Sequence, residues 1–250
     1  MAKTTLLEEF INLLMGFNMK IFAISDLHLS NSTDKPMDVF GGNWENYTQK
    51  IQENWKSKIS DDDLVLIAGD ISWAMKLDEV HEDLRWIDKL PGKKVIIKGN
   101  HEYWWKSISA VREILPESIS AIQNDAIRFG DYIICGTRGW VVPEKDKPVA
   151  DEDLKIYNRE IERMKLTLRF AKNMQQPNDK IIVMIHFPPF NSDKESNDFT
   201  KLFEEYGVDT VVFGHIHGYT NCPLRWSLNG VEYFFTSSDH IKHDPVLIYQ

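Results

Sequence analysis

The sequence predicts an α/β protein, on two observations. Five short apolar runs each end in residues that bind metals or move protons, and the stretches between them carry helical periodicity or turn signals. The clearest run is Leu64-Val65-Leu66-Ile67, preceded by Asp61-Asp62-Asp63 and followed by Ala68-Gly69-Asp70. It predicts a buried strand, with Asp70 where the chain leaves the sheet. Ligand sites of open α/β sheets gather at that edge. A carboxylate there has two oxygens, enough to bridge two metal ions. The device recurs: Asp26-Leu27-His28 follows residues 21–24, Gly99-Asn100-His101 follows 95–97, His186 follows 181–185, and Gly214-His215-Ile216-His217 follows 210–213.

In chain order, Leu6, Leu7, Phe10, Ile11, Leu14 and Phe17 predict an amphipathic helix over 4–17. Its apolar stripe either packs on its own sheet or docks a partner or second copy, so an oligomer through this helix stays open. Residues 1–18 read as an extension, and 19–250 as a single domain. Strand 20–25 leads into an irregular stretch, 29–45, with Pro36, Gly41 and Gly42. It leaves from the Asp26/His28 edge and is expected to form a lip over it. A helix over 46–58 precedes the Asp70 strand. A helix over 78–89 closes before Pro91-Gly92, a turn signal. Strand 93–97 reaches Asn100-His101, and Trp104 to Leu115 continues as a helix.

Strands at 119–122, 126–129 and 132–135 are separated by Asn124-Asp125 and Gly130-Asp131, which predicts hairpins and a mixed sheet. A second long loop, 136–150, carries Arg138 and Trp140. A long helix over 151–173 begins with Asp151 or the neighbouring acids as its cap. Strand 180–185 delivers His186, and Phe187-Pro188-Pro189-Phe190 excludes a helix after it. A helix over 196–206 and strand 209–213 lead to the last two histidines. Segments 224–229 and 231–236 form a closing hairpin about Gly230, and the last strand is 245–249.

Composition narrows the function. At 250 residues, 42% hydrophobic and 27% charged, the chain can bury a substantial core. A net charge of −9, with no basic run longer than Lys93-Lys94, argues against a duplex nucleic-acid surface and against a nuclease. No apolar run is long enough to span a membrane, and Glu8 and Glu9 interrupt any signal-peptide core. Cys135 and Cys222 form no Cys-x-x-Cys pair and read as reduced structural thiols, so a cytoplasmic location is expected.

Asp26-x-His28, Gly69-Asp70, Gly99-Asn100-His101-Glu102, His186 and Gly214-His215-x-His217, in this order and each at a strand end, resemble the calcineurin-like metallophosphoesterases. The resemblance implies a four-layer α/β/β/α sandwich with two mixed β-sheets, and a site for two divalent or mixed-valence metal ions. One ion would take Asp26, His28 and His217, the other Asn100, His186 and His215, with Asp70 bridging. The remainder to residue 250 would complete the second sheet. Residues i and i+2 of extended chain point the same way, which would aim Asp26 with His28, and His215 with His217, into one cavity. Two divalent ions, two carboxylates and a bridging hydroxide leave a net charge near +1, suited to a phosphate anion. Such a pair can activate a shared water for in-line attack on phosphorus. Nitrogen and oxygen donors without cysteine suit Mn, Fe, Zn or Co alike.

By the same resemblance, His101 would be the general acid at the leaving-group oxygen. Glu102 reads as a helix-start charge, His81 as a solvated residue, and His240 and His243 as neighbours of the closing strand. In the protein Ser/Thr phosphatases Gly-Asp continues as x-x-Asp-Arg-Gly; here those positions are Trp73, Ala74 and Met75. The chain therefore resembles the broad superfamily, and what orients His101 is open. Arg138 is the candidate phosphate contact. Trp44, Trp73, Trp104, Trp105 and Trp140 lie beside the site loops, where they either wall a pocket for a flat ligand such as a nucleobase or wedge the loops onto the sheets. The expected activity is metal-dependent hydrolysis of a phosphodiester or other small phosphoester. The alternatives are a phosphomonoesterase and a binding scaffold that has lost catalysis.

Overall fold

The computed structural model describes residues 19–145, 147–218 and 222–250. The helix expected over 4–17 lies outside the described residues. The strands are β1 (Ile21–Ile24), β2 (Leu64–Ile67), β3 (Lys93–Ile96), β4 (Ile119–Ala121), β5 (Ala126–Phe129), β6 (Tyr132–Thr137), β7 (Lys180–Ile185), β8 (Thr210–Phe213), β9 (Arg225–Leu228), β10 (Val231–Phe235) and β11 (Val246–Tyr249). The helices are α1 (Tyr47–Lys58), α2 (His81–Asp88), α3 (Ile108–Ile114), α4 (Asp151–Met174) and α5 (Asp198–Tyr206). Five strands form one sheet in the order β11-β1-β2-β3-β4, and six form the other in the order β5-β6-β7-β8-β10-β9. Both sheets are mixed. β1 to β4 run parallel beside an antiparallel β11, and β6, β7, β8 and β10 run parallel between antiparallel edges.

Side-chain alternation sorts the core into three apolar layers. In β2, Val65 and Ile67 pack outward on Ile51 and Trp55 of α1, while Leu64 and Leu66 pack inward. In β7, Ile182 and Met184 meet them from the other sheet, while Ile181, Val183 and Ile185 pack outward on α4 and α5 through Ile161, Met164, Leu168, Phe199 and Phe203. The result is the α/β/β/α sandwich. Strands buried on both faces read as unbroken apolar runs, which is why β1, β2, β7 and β8 are visible as such in the sequence.

Several expectations need correction. β4 pairs parallel with β3, and β5 pairs with β6 in the other sheet, so the chain at Asn124-Asp125 crosses between sheets; the one hairpin there turns at Gly130-Asp131. β11 adds to the first sheet beside β1, not to the second. The helix expected from Trp104 starts only at Ile108, where the Ser107 side chain accepts the Ala110 N–H. Trp104 and Trp105 instead bury completely in the core. α4 starts after Ala150 with no side-chain cap; Asp151, Glu152 and Asp153 fill its first turn, favourable to the helix dipole. The 29–45 stretch contains two short 3-10 turns, Met37–Phe40 and Gly42–Trp44.

Candidate metal centre

The ends of β1, β2 and β3 in one sheet and of β7 and β8 in the other meet at one rim. The sheets are stitched there by the Ser25 N–H donating to the Thr236 carbonyl (2.9 Å), while within the second sheet the Gly214 N–H donates to the His186 carbonyl (3.1 Å). Asp26, His28, Asp70 and His215 all take left-handed backbone conformations, with φ of 57°, 45°, 52° and 75°. Such conformations are costly for residues other than glycine and cluster at functional sites. These loops are therefore not the extended chain expected of them. Asp26 and His28 do converge, but through two left-handed turns; His215 and His217 line one cavity and belong to the two different groups of ligands.

Asp26, His28 and His217 form one group of candidate ligands, and Asp70, His186 and His215 a second, with donor atoms in each within 4.8 Å of one another. In the first, His28 Nε2 lies 3.2 Å from His217 Nε2, and Asp26 Oδ1 lies 3.5 Å from His217 Nε2. In the second, His186 Nε2 lies 3.3 Å from both Asp70 Oδ2 and His215 Nδ1. Asn100 Oδ1 joins it at 2.7 Å from His186 Nε2 and 2.8 Å from His215 Nδ1. Asp70 Oδ2 also stands 3.8 Å from His28 Nε2, so one oxygen faces both groups. Donors sharing an ion at bond lengths of about 2.0–2.2 Å stand roughly 3.0–3.5 Å apart; the separations here run from 2.7 Å at Asn100 to 4.0 Å between Asp26 Oδ1 and His28 Nε2 and bracket that range.

The hydrogen bonds behind the ring nitrogens fit as well. His186 Nδ1–H donates to the Ala68 carbonyl at 3.0 Å, and His217 Nδ1–H to Asp239 Oδ1 at 3.0 Å. Each bond fixes the tautomer that turns a lone pair on Nε2 toward the centre. Asp239 also accepts the Gly218 N–H at 2.9 Å. Asp26 accepts from Ser25 Oγ (2.6 Å), Ser237 Oγ (2.9 Å) and the His215 N–H (3.0 Å), so its orientation is set from three sides.

The electrostatics favour cations. Burial pushes the Asp26 carboxyl up, but His217, His186 and His28 outweigh it and hold it well below the usual carboxylate range. Burial also pushes Asp70 up, yet His186 outweighs it and holds Asp70 at about 2. Burial pushes His28 and His215 down to about 4. Against burial, Asp70 lifts His186 to about 9, and Asp239 and Asp26 lift His217 to about 10. Three buried carboxylates, Asp26, Asp70 and Asp239, thus draw positive charge into the centre.

Glu102 is not a helix-start charge. It is buried, and its carboxylate accepts the N–H groups of Ile71 and Gly99 at 2.5 Å, Asp70 at 3.1 Å and Ser72 at 3.4 Å. It ties the loop after β2 to the loop after β3, and so holds Asp70 against Asn100. Burial and the neighbouring Asp70 push its carboxyl up to about 7. Glycines make the close approach possible. A Cβ at Gly99 would collide with Asp70, at Gly214 with Asp26, and at Gly69 with His186 Nδ1.

His101 sits at the mouth, partly exposed, with Nε2 3.9 Å from Asp70 Oδ2 and its own N–H donating to Asp70 Oδ1 at 2.9 Å. Trp73 packs against its ring at 4.4 Å between centroids and stacks on His28 at 4.9 Å. Trp73 therefore occupies the flank of His101. A cavity of about 650 Å³ opens in front, lined by His28, His101, His215 and His217 and walled by Met37, Phe40, Trp44 and Trp73. The 29–45 stretch is the lip expected of it. His243 holds that lip: its Nε2–H donates to the Asn43 carbonyl at 2.6 Å, and its ring packs on Trp44. Arg138 is placed elsewhere; its side chain lines a separate cavity and packs on Trp140 at 4.7 Å.

Asp239 and Glu102 are the functional candidates that sequence reasoning missed. Asp239 had a signal, because Thr236-Ser237-Ser238-Asp239 follows the apolar end of β10 as the other motifs follow their strands.

The calcineurin-like phosphoesterase family profile matches residues 19–219. A probable cyclic nucleotide phosphodiesterase of Coxiella burnetii is 26% identical over 219 residues, covering 84% of this chain and 80% of that protein. Among solved structures, the phosphopantetheinyl hydrolase of Mycobacterium tuberculosis superposes with a TM-score of 0.57 at 16% identity, over 93% of this chain and 96% of that one. A Thermus thermophilus protein superposes with a TM-score of 0.58 at 12% identity, over 92% and 98%. These two share the fold.

Proposed function

The chain belongs to the calcineurin-like phosphoesterase family, and from that premise we propose that it hydrolyses a phosphodiester at a two-metal centre. Asp26, His28 and His217 would hold one ion, Asn100, His186 and His215 the other, and Asp70 would bridge them. The observation that carries this reading is the single Asp70 oxygen facing both groups, 3.8 Å from His28 Nε2 and 3.3 Å from His186 Nε2. When bound, two divalent ions supply Lewis acidity at the phosphoryl oxygens and an acidified water; the donor set does not choose among Mn, Fe, Zn and Co.

The chain's own groups do the rest. His101 Nε2 sits at the mouth, where it can give a proton to the leaving oxygen. Trp73 keeps its ring from turning away. Asp239 and the Ala68 carbonyl hold the His217 and His186 tautomers, and Glu102 keeps the Asp70 and Asn100 loops together. Among the described residues lining the cavity there is no Lys or Arg. A monoester dianion needs more fixed positive charge than a diester monoanion, so this favours a diester. The walls of Trp44, Trp73, Met37 and Phe40 suit its second organic group. The name of the Coxiella relative agrees with a diester whose organic part is a flat base.

Among the described residues no helix is long and apolar enough to cross a membrane. The test is a turnover screen of phosphomonoesters, cyclic nucleotides, dinucleotides and other diesters, with Mn²⁺, Zn²⁺ and Fe²⁺ each supplied. Turnover of diesters that requires added metal is the expected result. Absence of turnover with every metal would favour a binding scaffold.

A further inference from the structure

Five cations line a cavity of about 250 Å³ that shares no residue with the cavity of His28 and His101: Lys98, Lys106, Arg138, Arg159 and Arg163. They come from four places in the chain. Lys98 follows β3, Lys106 lies just before α3, Arg138 follows β6, and Arg159 and Arg163 stand one turn apart on α4. Like charges at that spacing repel one another. Among the described residues, Glu160 is the only carboxylate in ion-pair contact with any of the five, 2.6 Å from Arg163 and 3.8 Å from Arg138. The Glu160 carboxylate also accepts from Thr137 Oγ1 at 2.7 Å. One acid cannot balance five bases, and this surplus of positive charge occurs in a chain whose net charge is −9.

A second observation points to a ligand. Arg138 Nε is buried without a hydrogen-bond partner, at a cost that an anion accepting from it would relieve. Arginine forks and lysine ammoniums from several directions are the usual surroundings of a phosphate group. The cavity also abuts the candidate metal centre. Lys98 is two residues from Asn100, and the Arg138 carbonyl accepts the His186 N–H at 3.0 Å.

We infer that Lys98, Lys106, Arg138, Arg159 and Arg163 form a second phosphate-binding site, distinct from the two-metal centre. Its ligand is either a distal phosphate of the substrate or free inorganic phosphate; the first source rests on the phosphodiesterase reading above, the second does not. Lys106 and Arg159 are exposed and make no ion pair among the described residues, so Lys106→Ala/Arg159→Ala tests the site without uncovering the buried Glu160.

Calorimetric titration of inorganic phosphate into the metal-loaded full chain is the primary experiment. Two binding events are expected. Asp70→Ala should lose one of them, and Lys106→Ala/Arg159→Ala should weaken the other by about tenfold or more, because two charge-assisted contacts to the anion are removed. Phosphate binding of unchanged stoichiometry and affinity in Lys106→Ala/Arg159→Ala overturns the inference, whatever Asp70→Ala does. Unchanged binding in Asp70→Ala bears instead on the metal-centre reading. Kinetics assign the source. A dinucleotide with a 5′-phosphate should exceed the same dinucleotide without it in kcat/KM if the site holds a substrate phosphate, and the ratio should collapse toward one in the double variant. If the ligand is free phosphate, that ratio is near one in the wild type. Added phosphate then changes kcat for bis(p-nitrophenyl) phosphate in the wild type but not in the variant.

Discussion

Gly99→Ala adds one methyl group at the point where the loops after β2 and β3 touch. Its Cβ would lie 2.5 Å from the Asp70 backbone N and 3.0 Å from Asp70 Cγ, with Oδ1 closer still. Ordinary contact begins at 3.4 Å, so Asp70 must retreat by about 1 Å, and neither partner is the free end of a flexible chain. Gly99 itself is not in the left-handed region, so the backbone accepts alanine and the whole effect is the collision. Overpacking of this kind costs about 1–3 kcal/mol of stability. Asp70 is also the carboxylate proposed to bridge the two metal groups, and a displacement of about 1 Å in a catalytic group costs roughly 10²-fold in rate. Gly130→Ala is the matched control: Gly130 has φ +54° but nothing within 4 Å of its Cβ, so only backbone strain is expected, with metal content and turnover kept. Metal per chain by elemental analysis, and kcat/KM for the best diester, are measured for both variants. A Gly99→Ala protein with two ions per chain and wild-type kcat/KM would refute the reasoning.

Four further outcomes are expected. Asp70→Ala should lose bound metal and activity together, and a variant that retained two ions per chain by elemental analysis would contradict the bridging role. His101→Ala should keep its metal but turn over about 10²–10⁴ more slowly, the range of general acid–base groups; the loss should shrink for leaving groups that need no proton, and an equal loss across leaving groups would mean that His101 only shapes the mouth. Asp239→Ala removes the partner that fixes the His217 tautomer and should weaken metal binding by about 10–100-fold, read from the metal dependence of turnover; an unchanged midpoint would leave Asp239 without this role. Bis(p-nitrophenyl) phosphate should show a higher kcat/KM than p-nitrophenyl phosphate at one metal concentration, and a tenfold preference for the monoester, about 1.4 kcal/mol in transition-state binding, would make monoesterase the better description.

The strands, and the site residues that follow them, were legible from local pattern alone. An apolar run that ends in Asp, Asn or His is a local pattern, and strands buried on both faces leave it uninterrupted, as in Leu64–Ile67 before Asp70. The order of the motifs determined the family in the same way. Tertiary structure decided what depends on chain arriving from far away. Extended geometry could not foretell that Asp26, His28, Asp70 and His215 all turn left-handed, because that strain is held by contacts across both sheets. Glu102 looked like a helix-start charge because its four N–H partners lie on two loops, three of them 30–32 residues away. Asp239 gains its meaning only where β10 lies beside β8 and brings it to His217, 22 residues distant. Of the five tryptophans beside the site loops, Trp104 and Trp105 turned inward as wedges while Trp44 and Trp73 wall the cavity, a choice made by packing between layers. Arg138 parted from the histidines for the same reason: β6 delivers it to the face covered by α4, where Glu160 and four other cations wait.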